Sequence, residues 1–430
     1  MLDSIALSLI TWFNSFQNHP EFKPLELLPW ENSILFQLPP QHSDRDLETI
    51  VEAYLQNLKR QGIDTERQGI WVQSDWATSI SNEGKIPLSA ASLTKIATTL
   101  ASLSKWGAKH QFVTKIYVTG EINAGIVTGD LIVEGSGDPF FVWEEAIAIA
   151  NALNQLGINE VRGNLLVTDR FYMNYQNRAL EAGELFKQGL NRQLWQPQVR
   201  KQYLQMPNRT LQPEVAIASE VKAINKVPAN ARLLIAHQSL PLAEILRKMN
   251  IYSNNKMAQI LADLLGGAAA IAQTSAEIAN FNPTEIKLVN GSGLSEENRI
   301  SPHAVSKMLM AIDRLLQKDS FNAADLFPTA GRDVVGTVRG RDLPAGTTIK
   351  TGTLNNVSAL AGVIPTRNRG NVYFSIINYG NRIEYFRQQQ DILLNQLTQA
   401  WQLAPNNFNL ASKEDWYLGD PQRNYLYLDN

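Results

Sequence analysis

Ser92, Leu93, Thr94 and Lys95 put a hydroxyl and an amine three residues apart, on one face of any helix that begins there. A serine hydroxyl is a weak nucleophile until a base takes its proton, and a lysine is such a base only when burial or a neighbouring cation lowers its pKa. A helix start adds free backbone N–H groups and the positive end of the dipole, both suited to an oxyanion. The pattern alone is common, since Ser-x-x-Lys also begins at Ser102, Ser219 and Ser253. Ser92 is singled out because a helix striped by Leu93, Ile96, Ala97, Leu100 and Leu103 starts there and stops near Gly107.

Ser253, Asn254 and Asn255 open a second striped segment, with Met257, Ile260, Leu261 and Leu264 on one face. Serine and asparagine are good N-caps, so capping is one reading. The other makes Ser253 a proton relay and Asn255 a hydrogen-bond donor to a substrate amide. Another Ser-x-Asn begins at Ser320. Lys350, Thr351, Gly352 and Thr353 follow the β-branched run Thr347, Thr348, Ile349 and lead into a strand from Val357. A lysine and hydroxyls on a sheet edge bind a carboxylate, Gly352 admits a substrate backbone, and the Thr353 N–H faces a developing oxyanion. A plain strand-end lysine is the alternative.

The elements around these residues divide the 430-residue chain. Residues 4–20 carry no charge, and the first basic residue is Lys23, so the basic start of a signal peptide is missing. This segment reads either as an amphipathic helix packed on the body or as a membrane-surface anchor. After a proline-rich lead-in, Ser43 caps a helix with Leu47, Ile50, Val51, Tyr54, Leu55 and Leu58 on one face. A hairpin is expected around Ser81, Asn82, Glu83 and Gly84. Residues 111–119 alternate, and a β-containing module extends to about residue 225. Helical periodicity returns at Leu242. Two strands flank residues 365–370, an amphipathic helix covers about 383–401, and a polar tail from residue 404 reads as loosely attached.

Composition excludes several functions. With 39 Lys and Arg against 41 Asp and Glu, the net charge of −2 leaves no basic field for nucleic acid. The absence of cysteine rules out disulfides, thiolate metal sites and a cysteine nucleophile. His19, His42, His110, His237 and His303 include no pair at metal-ligand spacing. Neither a metal nor a cofactor is expected.

A serine with its lysine, then Ser-x-Asn, then Lys-Thr-Gly is the order found in penicillin-binding proteins and serine β-lactamases. The chain resembles the class C penicillin-binding proteins, the D-Ala-D-Ala carboxypeptidase/endopeptidase family. The resemblance runs through residues 89–95, Gly129-Asp130-Leu131, the stretch from Gly135 to Pro139, Asn290-Gly291-Ser292-Gly293, Gly336-Thr337-Val338-Arg339 and residues 350–362. The first position of the Asn290 signature is usually Asp in that family. Residues 170–215 lack the family's Trp- and Asp-containing segment, and the spacing from Ser92 to Ser253 is short for it.

The resemblance implies an α+β transpeptidase-like domain, an antiparallel sheet sandwiched by helices, built from residues 31–105 and 226–403. It implies an inserted β-containing domain at 106–225, between an N-terminal segment (1–30) and a C-terminal tail (404–430). It also implies a periplasmic or cell-envelope serine carboxypeptidase without a cofactor, acting on peptidoglycan stem peptides that end in D-Ala-D-Ala and inhibited by β-lactams. Ser92, Lys95, Ser253, Asn255 and Lys350 would be catalytic, and Thr351, Gly352 and Thr353 would bind substrate. The alternatives are a β-lactamase or esterase using the same serine, and a non-catalytic cell-wall-binding module.

Overall fold

The computed structural model describes residues 45–74, 78–367, 369–404 and 416–427. Its central feature is a five-stranded antiparallel sheet. The strands run in the order Thr348–Leu354, Val357–Thr366, Gly370–Tyr379, Gln68–Ser74, Thr78–Asn82. Alternation along Val357–Thr366 sends successive side chains to opposite faces. Val357, Ala359, Ala361 and Val363 enter one core, and Leu360 and Ile364 enter another.

The second of these cores is capped by the helices Arg45–Arg60 and Ile383–Trp401, through Leu47, Val51, Leu58, Phe386, Leu393 and Leu397. A buried polar chain ties both helices to the sheet. Tyr54 donates to Asn378 Oδ1 at 3.0 Å, Gln390 donates to the same oxygen at 2.9 Å, and Asn378 donates to Gln68 at 2.9 Å. The opposite face packs on the helix Pro302–Gln317 and shares its core with the helices Thr94–Trp106, Leu242–Ile251, Asn255–Leu264 and Ala268–Ala279. The protein is thus α+β, with helices on both sides of its main sheet.

A six-stranded mixed sheet joins Val221–Ile224, Leu165–Thr168, Leu131–Glu134, Val113–Val118, Arg232–Gln238 and Asn424–Leu426. It shares a third core with the helices Trp143–Gln155 and Ala179–Leu190. The boundary expected at residue 225 falls before Arg232–Gln238, which pairs with Val113–Val118.

Two other expectations shift. The hairpin does not turn at residues 81–84. Ser81 and Asn82 stay in the strand paired with Gln68–Ser74, where Asn82 donates to the Thr65 and Gln68 carbonyls. Gly84 lies against the Trp71 ring instead. The tail is also not loose where it is described. Residues 424–426 add a strand to the six-stranded sheet. Buried Arg423 donates to both Glu145 carboxylate oxygens at 2.6 and 2.7 Å and to the Gln238 carbonyl at 2.7 Å. His237 lies 3.4 Å from the same carboxylate. Burial alone would push the Glu145 pKa up, but its hydrogen bond to His237 and the Arg423 charge bring it below the usual range. A polar tail looked unattached because its partners lie far away in sequence. The N-terminal segment 1–30 and the capping residue Ser43 fall outside the described residues. Among those described, no helix is long and apolar enough to cross a membrane.

Removing one partner of a buried ion pair leaves the other uncompensated. Arg423→Ala is therefore expected to lower unfolding free energy by about 3–5 kcal/mol. Urea unfolding measures this, and an unchanged midpoint would contradict it.

Candidate active site

Three segments meet on the side of the sheet edged by Thr348–Leu354. The first is the short 3₁₀ turn Ala91–Leu93, which feeds the helix Thr94–Trp106. Ala91 has φ of 46°, a left-handed conformation uncommon for a residue with a Cβ. Neighbours hold it there. Thr94 Oγ1 donates to the Ala91 carbonyl at 2.9 Å, and the Ala90 N–H donates to the Asn298 carbonyl at 2.9 Å. Two glycines let the chain close around this turn. A Cβ on Gly293 would sit 1.9 Å from the Ala91 oxygen, and one on Gly352 would sit 3.0 Å from both Ser92 N and Ala90 O. Gly352 thus serves packing against the Ser92 turn, where the sequence suggested an approach for substrate backbone.

Ser92 is half-buried and lines a cleft of about 650 Å³ with Ser253, Asn255, Thr351 and Thr353. Lys95 is completely buried beneath it. Its Nζ lies 3.0 Å from Ser92 Oγ, 2.7 Å from Asn255 Oδ1 and 2.6 Å from the Ser292 carbonyl. The last two atoms accept only. When Lys95 is a neutral amine, they take its two N–H bonds and leave its lone pair for the Ser92 hydroxyl. Burial lowers the Lys95 pKa to about 7.

The second segment brings Ser253 and Asn255. Ser253 does not cap the following helix. Asn254 does, accepting from Met257 N at 3.1 Å, and the helix is Asn255–Leu264. Ser253 stands before it with φ of 50°, and its hydroxyl is free to meet Lys350. The third segment is the edge strand. Lys350 is fully buried and donates to Ser253 Oγ at 3.1 Å and to the Thr351 carbonyl at 2.8 Å. Its pKa lies well below the ordinary lysine value, first through burial and then through the Lys95 charge. Of the two causes the sequence offered for Lys95, burial or a neighbouring cation, burial is the one that lowers it. Thr353 is exposed in the cleft, and its Oγ1 accepts from Arg387 Nη2 at 3.0 Å.

Several contributors carried no sequence signal for a role. Ser292 acts through its backbone carbonyl, which no side-chain type advertises. Asn290 Oδ1 accepts from Ser292 N, Ser292 Oγ and Gly293 N at 3.1, 2.9 and 2.8 Å, so the amide fills an acceptor's place where Asp is usual. Asn298 fastens this loop by donating to the Asn290 carbonyl at 2.9 Å. Arg339, Arg341 and Arg387 also line the cleft. The segments Asn290–Gly293 and Gly336–Arg339, which resemble family signatures, were the hint that the sequence offered.

A helix-flanked antiparallel sheet, with a serine–lysine pair at a helix start beside a Lys-Thr-Gly edge strand, is the architecture of a penicillin-binding protein. The chain belongs to the D-Ala-D-Ala carboxypeptidase 3 (S13) family, which it matches over residues 50–179 and 183–399. It is 29% identical over 182 residues to the carboxypeptidase DacB of Mycolicibacterium smegmatis, covering 38% of this chain and 40% of that relative's length. It is 23% identical over 404 residues to a D-alanyl-D-alanine carboxypeptidase of an Actinomadura species, covering 70% of this chain and 75% of the relative. The penicillin G-acylated predatory endopeptidase of Bdellovibrio bacteriovorus, solved with an immunity protein, shares the fold at a TM-score of 0.65. It is 22% identical, with 77% of this chain and 91% of that one covered.

Lysine-¹⁵N NMR across a pH series should reveal one side chain titrating at about 7 that disappears in Lys95→Met. If every lysine titrates above about 9, near the unperturbed value, the buried amine is not as described.

Proposed function

We propose that this protein is a serine-type D-Ala-D-Ala carboxypeptidase, with DD-endopeptidase action on cross-linked chains, that trims peptidoglycan stem peptides through an acyl-serine intermediate. The observation that carries this reading is the buried Lys95 amine 3.0 Å from Ser92 Oγ, with its other protons held by two carbonyl oxygens. Family membership supports the substrate class.

In this mechanism Lys95 takes the Ser92 proton as Oγ attacks the carbonyl of the penultimate D-Ala. The N–H groups of Ser92 and Thr353 hold the resulting oxyanion, each worth about 3–4 kcal/mol in comparable sites. The C–N bond then breaks, and Ser253, hydrogen-bonded to Lys350, passes a proton to the leaving amine and is reprotonated at the expense of the proton Lys95 took up, which leaves Lys95 neutral again. Asn255 keeps its NH₂ group for the acyl-side amide, since its oxygen is taken by Lys95. Lys350 and Thr351 orient the terminal carboxylate. Water, deprotonated by the same base, hydrolyses the ester and frees Ser92. No step calls for a metal or cofactor. A β-lactam amide acylates Ser92 by the same route, in line with the penicillin G-acylated protein of this fold. Peptidoglycan places the enzyme in the cell envelope. The five-stranded sheet and its helices form the catalytic domain, and the six-stranded sheet belongs to an insertion between the first two motifs, joined by the C-terminal strand Asn424–Leu426.

Mass spectrometry after incubation with penicillin G should place a covalent adduct on Ser92 that is lost in Ser92→Ala; an adduct on another residue would refute the assignment. A long-lived adduct marks a carboxypeptidase, and rapid turnover would mark a β-lactamase instead.

D-Ala release from a D-Ala-D-Ala peptide should rise with pH through about 7, because the base works only after losing its proton. Lys95→Ala should cut that release about 100- to 10,000-fold. Stem-peptide binding without any release, in the unaltered protein, would support a binding module.

A further inference from the structure

The reading above leaves a charge unanswered. A substrate ending in D-Ala brings a carboxylate into the cleft, yet the two lysines beneath it are already committed. Lys95 Nζ is shared among Ser92, Asn255 and the Ser292 carbonyl. Lys350 Nζ is held by Ser253 and the Thr351 carbonyl. Both are fully buried, which disfavours their charged forms. A persistent cation is offered by the arginine-lined wall of the cleft.

Three guanidiniums line that wall. Arg341 is consumed internally, donating to both Asp391 carboxylate oxygens and to Gln390 Oε1. Arg339 is exposed at the end of the short turn Gly336–Val338. Arg387 reaches the Lys-Thr-Gly strand itself, donating from Nη2 to Thr353 Oγ1 at 3.0 Å. Its other terminal nitrogen meets Glu384 Oε1 at 2.6 Å, but the Glu384 side chain is 77% exposed. Such a pair is strongly screened and gives way readily to a better-placed anion. The helix that carries Arg387 is fixed one turn away by Gln390, which donates to Asn378 at 2.9 Å and to the Ser358 carbonyl at 3.1 Å. Arginine keeps its charge at any working pH, and its planar fork matches a carboxylate.

We propose that Arg387 is the specificity-determining cation for the substrate's terminal carboxylate, gripping it together with the Thr351 and Thr353 hydroxyls. This rests on the carboxypeptidase reading and deepens it. Lys350 and Thr351 still orient the carboxylate from beneath, and the persistent charge that distinguishes a free C-terminus from a blocked one comes from the last helix. Glu384 holds the guanidinium in place until substrate arrives.

The test uses the full chain and two N-acylated peptides that differ only at the C-terminus, D-Ala-D-Ala carboxylate and its carboxamide, with kcat and KM measured for release of the last residue. The unaltered protein should favour the carboxylate. Arg387→Gln should lower kcat/KM for the carboxylate about ten- to a hundredfold, chiefly through KM, while changing the carboxamide by less than about twofold. Arg387→Lys, which keeps the charge, should recover part of the preference. The proposal is overturned if Arg387→Gln depresses both peptides equally, if the unaltered protein shows no preference, or if the preference survives in Arg387→Gln and collapses in Arg339→Gln. Failure of the underlying reading looks different: the unaltered protein would then form no Ser92 adduct and cleave neither peptide, which overturns both.

Discussion

A buried lysine amine governs this structure. Lys95 is fully enclosed, and enclosure makes the ammonium form costly, so the group sits near the point where it exchanges a proton at neutral pH. Enclosure alone would leave a polar atom unsatisfied in the core. The Asn255 amide oxygen and the Ser292 carbonyl prevent that, and because neither can donate, they decide which way the lone pair faces. The same two contacts therefore satisfy the buried nitrogen and aim it at Ser92.

Keeping that arrangement requires segments from distant parts of the chain to hold still together. The Ser92 turn is pressed between Gly293 on one side and Gly352 on the other, with Ala91 in a strained conformation between them. Such strain persists only where the surroundings over-determine it, and here they do: Thr94, Asn298 and Asn290 form a polar lattice behind the turn. The main sheet supplies the other wall. Its edge strand is bridged at Thr348 by Thr329 and lines the cleft with Thr351 and Thr353, and its central strands are buried on both faces.

The distribution of charge follows the same economy. The buried lysines meet serine hydroxyls, and guanidiniums, which cannot give up their protons, hold structure or face solvent. Arg341 and Arg423 are locked to carboxylates inside the protein, whereas Arg387 remains at the cleft surface, touching the strand end that a substrate would reach.

Much of this was legible in the residues alone. Period-3.6 stripes located the helices beginning at Thr94 and Asn255, and alternation located Val113–Val118. Ser92 and Lys95 pair within a single turn, so their spacing nearly dictates their contact. Other features were illegible for definite reasons. Asn254 rather than Ser253 became the cap, since both residue types suit that position and only the packed loop decides between them. The polar tail gave no sign of docking, because the carboxylate that receives Arg423 lies 278 residues away. The carbonyl that meets Lys95 is 197 residues distant and belongs to the backbone, which every residue possesses. Local rules of dihedral and periodicity operate over a turn or a strand, and they were enough to mark the reactive groups. Where those groups converge, and what each nitrogen faces, depends on cores shared by segments hundreds of residues apart, and that information exists only once the chain has packed.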